Sequence, residues 1–455
     1  MKRELAWNKY KNKQLKELES LCKGYKEFLD KGKTERECVT ETIEIIEKAG
    51  YKNLDTIIAK KQKIKTGDKV YAVCMGKAIA MFNIGKKPME EGLNILGAHV
   101  DSPRIDIKQN PLYEDTDFAY LDTHYYGGIK KYQWVAIPLS LHGVIVKADG
   151  EIVNVNIGED KGDPVFCVTD LLPHLATAQM KRTPSELIKG EELNILVGSR
   201  PFRDDKASNK VKLNIMAILN EKYGIVEDDF ISAELEAVPQ FKATDVGFDR
   251  SMVGGYGQDD RVCAYPAVQA IFKCKNPKHT CMTVLADKEE TGSDGNTGLN
   301  SSFLPYFINN LAKTQGFEGY NVMSASECLS ADVNAGVDPT FSDVTEERNS
   351  SKINYGVVAT KFTGSRGKSG TSDASAEFVG KIRRLFDKNN ILWQTGELGK
   401  VDMGGGGTVA QYIANLNIDV IDVGVPVLSM HAPFEVTSKI DIFMAYKAFT
   451  AFFED

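Results

Sequence analysis

The feature that most constrains the fold is a set of short apolar runs that alternate with helical patterns and end in polar residues. In this chain of 455 residues the clearest runs are LNILGAHV (93–100), MTVLADK (282–288) and VIDVGVPVL (420–428). Such runs are typical of strands that are covered on both faces. Amphipathic patterns lie between and after them, at 374–388 and 438–453. The alternation predicts a mixed, mostly parallel α/β sheet with helices on both faces.

Two helical patterns open the chain, at about 5–30 and 34–50. The Thr34 hydroxyl is a suitable N-terminal cap for the second pattern, and Gly50 is a suitable end. Strand patterns follow at 70–75 and 79–84. The same alternation of strands and helices resumes after about residue 244.

Residues 105–243 have a different pattern. Short β-like runs such as WVAIPLSLHGVIV and EIVNVNIG are separated by Gly, Asp and Pro, and long helical patterns are few. A chain of this length also exceeds what one hydrophobic core usually supports. We therefore predict one α/β domain, of residues 1–104 and 244–455, that is interrupted by a β-rich domain at 105–243.

Charge and composition exclude several classes of partner. The chain has 63 acidic and 56 basic residues, whereas a nucleic-acid-binding chain usually shows a basic excess. No apolar run is long enough to cross a bilayer, and the charged N-terminal stretch has no signal-peptide core. Eight scattered cysteines without a C-x-x-C pair are typical of buried, reduced thiols. We predict a cytoplasmic protein with neither a nucleic-acid nor a membrane partner.

Candidate metal ligands stand at the ends of the apolar runs. His99 and Asp101 form an H-x-D pair, in which the acid can hold the far nitrogen of the imidazole, as it does for many metal-bound histidines. Asp259 follows the glycine-rich stretch GGYGQDD and precedes a helical pattern. Each has an ordinary structural alternative: His99 as a packed strand-end histidine, and Asp259 as a favourable partner of the helix dipole.

An acidic pair, Glu289 and Glu290, follows the run MTVLADK. Two acids at a buried strand end repel each other unless something positive lies there. A metal would resolve that repulsion, with one Glu as a ligand and its neighbour as a proton acceptor. Asp332 and His431 also follow strand-like runs. Imidazole and carboxylate ligands without thiolates suit catalytic zinc, cobalt or manganese.

These motifs resemble the aspartyl aminopeptidase family of two-metal aminopeptidases. The resemblance extends through GAHVDSPR, GGYGQDDR, DKEETGSDG, SADVNAG and VPVLSMHAPFE and covers nearly the whole chain. It implies two divalent ions per subunit, with zinc expected and cobalt or manganese as alternatives. The implied roles are His99 and Asp332 on one ion, Glu290 and His431 on the other, Asp259 as the bridge, Asp101 as the residue that orients His99, and Glu289 as the general base.

The resemblance also implies peptide substrates with a free N-terminus and a homo-oligomer. Family members commonly form a dodecamer built from dimers, with dimer contacts made by the inserted domain. His174, within that domain, matches a family histidine that reaches an active site, either its own or that of a neighbouring subunit. Alternatively it is a packed histidine at a helix start, and a direct metal ligand is a third option.

Two segments bear on the choice of substrate. In the stretch GGGG (404–407), Gly405 and Gly406 either bring backbone amides to the substrate or form a flexible turn; acid-selective members have Thr-Pro-Cys-Gly in place of the first glycines. In the segment 361–375, Lys361, Arg366 and Lys368 either pair with a substrate carboxylate or belong to a solvated loop. A preference for acidic N-terminal residues is therefore left open.

Two other classes of function compete with the aminopeptidase. One is a carboxypeptidase or amide deacylase on the same fold. The other is a non-catalytic, metal-stabilised assembly. The Glu289–Glu290 pair argues against the second, because a structural metal site has no use for a proton acceptor.

Overall fold

A computed structural model describes residues 4–203 and 206–455, so residues 1–3 and 204–205 of the predicted domains lie outside the described residues. Two units are distinguished. The first comprises Met1–Ser102, Ala243–Met430 and Phe434–Asp455, and the second comprises Pro103–Lys242 and His431–Pro433. The roles assigned to the two predicted domains, catalysis and oligomerisation, stay predictions.

The α-helices, in chain order, are α1 (Asn12–Lys31), α2 (Glu35–Lys48), α3 (Leu54–Ala59), α4 (Lys210–Tyr223), α5 (Gln258–Lys273), α6 (Phe303–Lys313), α7 (Gly319–Ser324), α8 (Ala376–Lys388), α9 (Ala410–Ala414) and α10 (Lys439–Glu454). The strands are β1 (Lys52–Asn53), β2 (Lys69–Cys74), β3 (Ala78–Asn83), β4 (Leu93–His99), β5 (Arg104–Asp115), β6 (Phe118–Tyr126), β7 (Leu139–Val146), β8 (Ile152–Ile157), β9 (Cys167–Val168), β10 (Ile195–Gly198), β11 (Ala233–Pro239), β12 (Thr244–Val246), β13 (Met252–Gly255), β14 (Thr280–Ala286), β15 (Glu327–Ser330), β16 (Asn334–Ala335), β17 (Val357–Thr360), β18 (Gly364–Ser365), β19 (Trp393–Thr395), β20 (Gly405–Gly406), β21 (Asp419–Gly424), β22 (Pro426–Leu428) and β23 (Glu435–Ser438).

The apolar runs form a nine-stranded sheet in the first unit, in the order β1-β2-β3-β14-β4-β15-β21-β17-β19. Five neighbouring pairs are parallel and three are antiparallel. The centre of the sheet, β14-β4-β15-β21, is wholly parallel. The first unit also contains a five-stranded sheet, β12-β13-β23-β22-β16, and the two-stranded pair β18-β20.

Both faces of the nine-stranded sheet are covered. Along β4, Leu96 and Ala98 pack into a core with side chains of α1, α2, α5, α8 and α10. Leu93 and Ile95 point the other way, into a core with α3, α6, α7 and α9. Side chains that alternate between two apolar cores explain why the run LNILGAHV has no polar face. The predicted fold class is confirmed.

The second unit holds a seven-stranded sheet in the order β8-β7-β11-β5-β6-β10-β9. Every neighbouring pair is antiparallel. The sequence showed few helical patterns here, yet α4 is a full helix with only Val211 buried. Its apolar residues are not confined to one stripe, which explains why periodicity did not reveal it.

Several predicted bounds need correction. The first helix begins at Asn12, after a short 3-10 turn at Ala6–Asn8, rather than near residue 5. The apolar run 420–428 is divided by Val425 between β21 and β22, which belong to different sheets. The stretch GTVAQYIANL (407–416), whose pattern also predicts a helix, is helical only over Ala410–Ala414. By contrast, Thr34 caps α2 as predicted, with its hydroxyl accepting the backbone N–H of Glu37 at 3.2 Å.

Within the described ranges 4–203 and 206–455, no helix combines the length and the apolar character needed to span a bilayer.

Candidate metal centre

Parallel strands bring the predicted site residues to one edge of the nine-stranded sheet. Strand β4 ends at His99, which stands opposite Ala286 of β14. On the other side of β4, Ser330 of β15 stands opposite Gly97, so Asp332 follows at the same edge. The carboxyl ends of such strands are where binding sites form in open α/β sheets.

Candidate ligand atoms meet around the His99 ring. Its Nε2 atom lies 3.1 Å from Oδ1 of Asp259 and 3.8 Å from Oε2 of Glu289. Ligand atoms of His99, Asp259 and Asp332 all lie within 4.8 Å of one another, as do those of His99, Glu289 and Glu290. The structure therefore brings together five residues that the sequence nominated from four separate segments.

Asp101 connects the histidine to the acidic pair. One of its oxygens, Oδ1, lies 3.3 Å from Nδ1 of His99 and accepts the backbone N–H of Glu289 at 3.2 Å. The other, Oδ2, accepts the backbone N–H of Glu290 at 3.2 Å. A proton on Nδ1 shared with Asp101 leaves the Nε2 lone pair facing the cluster, as a metal-binding histidine requires.

The backbone around Asp259 is sharply turned. Gly257 has a φ of 71°, and a Cβ there would lie 2.1 Å from the Arg261 side chain, so this position needs glycine. The peptide bond between Asp259 and Asp260 is cis. Ser102 donates its hydroxyl to the Asp259 carbonyl at 2.8 Å. These contacts hold the Asp259 carboxylate toward His99.

Burial and mutual repulsion disfavour negative charge in this cluster. Burial, with the neighbouring charges of Asp332 and Asp259, raises the pKa of Glu289 to about 8. Burial, with the charge of Asp259, raises the pKa of Asp332 to about 7. Burial alone would lower the pKa of His99, but its hydrogen bonds with Asp101 and Asp259 raise it well above its ordinary value. Carboxylates so placed are stabilised by a bound cation, and the imidazole–carboxylate set fits zinc.

Two of the predicted site histidines are grouped with the second unit. His431 is grouped with the second unit, where its Nδ1 lies 2.9 Å from the carbonyl oxygen of Gly128; its role as a ligand stays a prediction. His174, also in the second unit, is exposed and lies in a turn, so the alternative of a packed histidine at a helix start is wrong. It is flanked by the exposed side chain of Leu175.

The two predicted substrate segments pair with each other. Gly406 and Gly405 of β20 lie opposite Gly364 and Ser365 of β18. Lys361 is half-exposed and hydrogen-bonded to Asp373. Asp373 lies three residues before α8, and Ser375 caps that helix by accepting the backbone N–H of Phe378 at 3.2 Å.

Two buried acids that support the site were missed at the sequence level. Glu435 accepts the backbone N–H groups of Gln258 and Asp259, at 2.6 and 3.1 Å, and so fixes the loop that carries Asp259. Asp422 accepts hydroxyl hydrogen bonds from Ser330 at 2.5 Å and from Thr408 at 3.2 Å. Burial raises the pKa of Asp422 to about 7. An acid inside an apolar run, as in VIDVG, was the available signal for Asp422.

The family model described as aminopeptidase I zinc metalloprotease (M18) matches residues 28–453. The chain belongs to this family. It is 55% identical over 451 residues to a probable M18 family aminopeptidase 1 of Clostridium acetobutylicum, covering 98% of this chain and 97% of that one. The M18 aminopeptidase structure from Thermotoga maritima has a TM-score of 0.95 at 44% identity, with 100% and 99% of the two chains covered.

A more distant M18 structure, the S. cerevisiae mApe1 dodecamer, has a TM-score of 0.76 at 21% identity and covers 95% of both chains. That likeness shows the fold alone. Membership of the M18 family makes this chain a metallo-aminopeptidase of the zinc metalloprotease type. The half-barrel of antiparallel strands in the second unit and the mostly parallel sheet of the first are both part of the M18 fold.

Proposed function

We propose that this M18 enzyme removes the N-terminal residue of peptides that carry a free amino group, with Glu289 as general base. The observation that carries the proposal is the position of the Glu289 carboxylate, 3.8 Å from the Nε2 atom of His99 in a cluster of buried carboxylates. In the metal-free fold, burial and the neighbouring charge of Asp332 raise its pKa to about 8, so its carboxylate binds a proton more strongly than an exposed glutamate does.

Two divalent ions per subunit are proposed, with zinc first and cobalt or manganese as alternatives. His99 and Asp332 would hold one ion, Glu290 and His431 the other, and Asp259 would contact both. When bound, such ions act as Lewis acids that polarise a carbonyl and acidify water. The three ligand residues within 4.8 Å of one another, His99, Asp259 and Asp332, support the first of these sites.

Two residues of the chain have separate roles in this reaction: Glu289 transfers the proton, and Asp101 positions the groups around it. Glu289 accepts a proton from the attacking water and donates it to the nitrogen of the leaving peptide. Asp101 keeps the His99 ring in place and, by accepting the N–H groups of Glu289 and Glu290, holds the backbone that carries both carboxylates. That arrangement lets Glu290 face a metal while its neighbour stays available for the proton.

A substrate panel tests the proposal. Amino-acid p-nitroanilides with a free amine, including acidic, basic and apolar residues, are compared with their N-acetylated forms after loading with zinc, cobalt or manganese. We expect hydrolysis of the free-amine forms only. Hydrolysis of the acetylated forms would favour an amide deacylase, release of C-terminal residues would favour a carboxypeptidase, and no metal-dependent hydrolysis at all would favour a non-catalytic assembly. The same panel tests whether acidic N-terminal residues are preferred, which the sequence leaves open.

The enzyme is also proposed to act as a homo-oligomer, a dodecamer built from dimers through the second unit. Among the described residues, most of the exposed large apolar side chains lie in that unit, and Leu171, Leu172, Leu175 and Met180 form a group along one loop. Exposed apolar groups of this kind mark contact surfaces. The related mApe1 structure is a dodecamer. Analytical ultracentrifugation should give a mass of many subunits, and a monomer at micromolar concentration would contradict the proposal.

His174 is proposed to serve the active site of a neighbouring subunit. Its exposure in a turn of the second unit, beside exposed apolar side chains, supports a role outside its own fold. Subunits with His174→Ala and subunits with Glu289→Gln should each be inactive, and mixed oligomers should regain activity because some sites receive both native residues. Absence of recovery in mixed oligomers of confirmed composition would contradict action between subunits.

A further inference from the structure

One carboxylate holds both lysines of the segment 361–373. Lys361 Nζ donates to Oδ1 of Asp373, and Lys368 Nζ donates to Oδ2 at 2.8 Å. The Lys368 ammonium also lies 3.8 Å from the centre of the Phe362 ring, which limits where it can move. The hydrogen bonds from Lys361 and Lys368 lower the pKa of Asp373, so it is ionised throughout the neutral range.

The loop that carries these three residues is tied together by its backbone. The carbonyl of Lys361 accepts the N–H of Ala374 at 2.9 Å, and Phe362 and Asp373 form an antiparallel bridge. Thr363 donates its backbone N–H to the Thr371 hydroxyl at 2.8 Å. Asp373 is therefore placed opposite Lys361 by the main chain and not by a chance contact of long side chains.

The same loop borders the Asp332 side of the metal cluster by two connections. Thr360, which precedes Lys361, accepts a hydrogen bond at 3.0 Å from Asn334, two residues after Asp332. Strand β18 of the loop pairs with β20 (Gly405–Gly406). Val409, three residues after β20, donates its backbone N–H to the Asp332 carboxylate. The base of the loop therefore lies close in the fold to the segment that carries Asp332.

We propose that Asp373 takes the position of a substrate carboxylate at Lys361 and Lys368, so that the enzyme selects neutral over acidic N-terminal side chains. The inference rests on the proposed aminopeptidase function and names its substrate class. An aspartyl or glutamyl side chain would have to displace Asp373 from two charge-assisted hydrogen bonds and would meet its negative charge, whereas a neutral side chain need not disturb it. Asp373 is thus a specificity residue that acts through the lysines.

The test compares the zinc-loaded enzyme with its Asp373→Asn variant on aspartyl- and leucyl-p-nitroanilide, as the ratio of kcat/KM for the acidic to the neutral substrate. The native enzyme should prefer the leucyl substrate. The variant should raise the ratio at least about tenfold, the expected effect of freeing a charged hydrogen-bond donor. Adding Lys361→Met and Lys368→Met to Asp373→Asn should return the ratio to the native value.

Glu41→Gln is the matched control, because it removes one acidic charge and the partner of one lysine, Lys31 at 2.9 Å, elsewhere in the same unit. It should leave the ratio unchanged. If Asp373→Asn does not fold, the pair Lys361→Met and Lys368→Met should lower the ratio below native, since Asp373 would then repel acidic substrates without compensation. An unchanged ratio in either loop variant, or a native preference for the aspartyl substrate, overturns the inference while the aminopeptidase function stands. A native enzyme that hydrolyses neither substrate refutes the proposed function itself.

Discussion

The two units of the chain differ in the kind of energetically unfavourable side chain that they contain. The first unit buries charge: the described carboxyl groups whose pKa burial raises, Asp260, Asp287, Glu289, Asp332, Asp422 and Asp441, all belong to it. The second unit carries most of the exposed large apolar side chains among the described residues, such as Leu175 and Met180, each 68% exposed. The buried carboxyl groups and the exposed apolar side chains both lower the stability of a chain that has no metal and no partner.

The contrast indicates what each unit needs from outside itself. Buried carboxylates of like charge are stabilised by cations, so the first unit needs metal ions. Exposed apolar side chains are stabilised when another surface covers them, so we expect a protein partner to cover the second unit. Changes to the buried carboxylates are thus expected to weaken metal binding, and changes to the exposed apolar side chains are expected to weaken assembly.

The largest expected effect is on chemistry in the first unit. Glu289→Gln should lower kcat by about a hundred- to ten-thousand-fold, the usual contribution of a general base. Metal content, measured by mass spectrometry of the purified protein, should not change. Loss of metal together with activity would show that Glu289 is a ligand, and the assignment of the base would then be wrong.

Removal of the metals should make the free energy of unfolding depend on pH. Carboxyl groups in an unfolded chain have a pKa of about 4. Burial raises the pKa of Asp332 to about 7 and that of Glu289 to about 8 in the metal-free fold. Between these values the folded state binds more protons than the unfolded state, so the free energy of unfolding falls as the pH rises from about 4 to about 8.

The metal-loaded enzyme should lack that decrease, because bound cations stabilise the ionised carboxylates. Melting temperatures of chelated and zinc-loaded protein, measured from pH 5 to pH 8, should therefore diverge as the pH rises. Parallel curves would contradict the idea that these carboxylates are the metal ligands.

A smaller effect is expected for the residue that positions the ligands. Asp101→Asn should weaken metal affinity by about 10- to 100-fold, as for other partners of ligating histidines. The matched control is Asp441→Asn, because Asp441 is also buried and accepts two backbone N–H groups, from Asn354 at 2.6 Å and Gly356 at 2.8 Å. Chelator competition should separate the two: the control variant should lose stability without losing metal affinity.

The smallest effect on the metal centre is expected from the exposed apolar side chains of the second unit. Leu175→Asp should shift the protein to smaller oligomers in ultracentrifugation, since it places a charge on an exposed apolar surface. Tyr320→Asp is the comparison, because Tyr320 is 78% exposed in the first unit. If both substitutions dissociate the assembly, or only the second does, contacts between subunits are not confined to the second unit.

Sequence patterns predicted the elements whose burial follows their periodicity. The run LNILGAHV gave β4 because its residues alternate between two apolar cores, and Thr34 gave the start of α2 because capping involves only neighbouring residues. Helix α4 was missed because its apolar residues form no single stripe. The division of 420–428 between two sheets was also missed, because nothing local marks where a continuous apolar run changes its partner strands.

In the candidate site, residue types and order were enough to nominate His99, Asp259 and the Glu289–Glu290 pair. The contacts that position them were not predictable in the same way. Glu435 acts on the backbone of Asp259 across 176 positions of sequence. Asp373 satisfies Lys361 only because a bridge brings the ends of its loop together.

The sequence by itself determined the fold class through local periodicity and nominated the candidate residues through side-chain type and order. Its resemblance to a known family indicated the metallo-aminopeptidase chemistry. Only the tertiary structure decided which charges face each other. It placed Asp101 between His99 and two backbone N–H groups, and it paired both Lys361 and Lys368 with Asp373. The reason is physical: the strength of an electrostatic contact depends on distance and burial, and both are set by chain segments that are far apart in sequence.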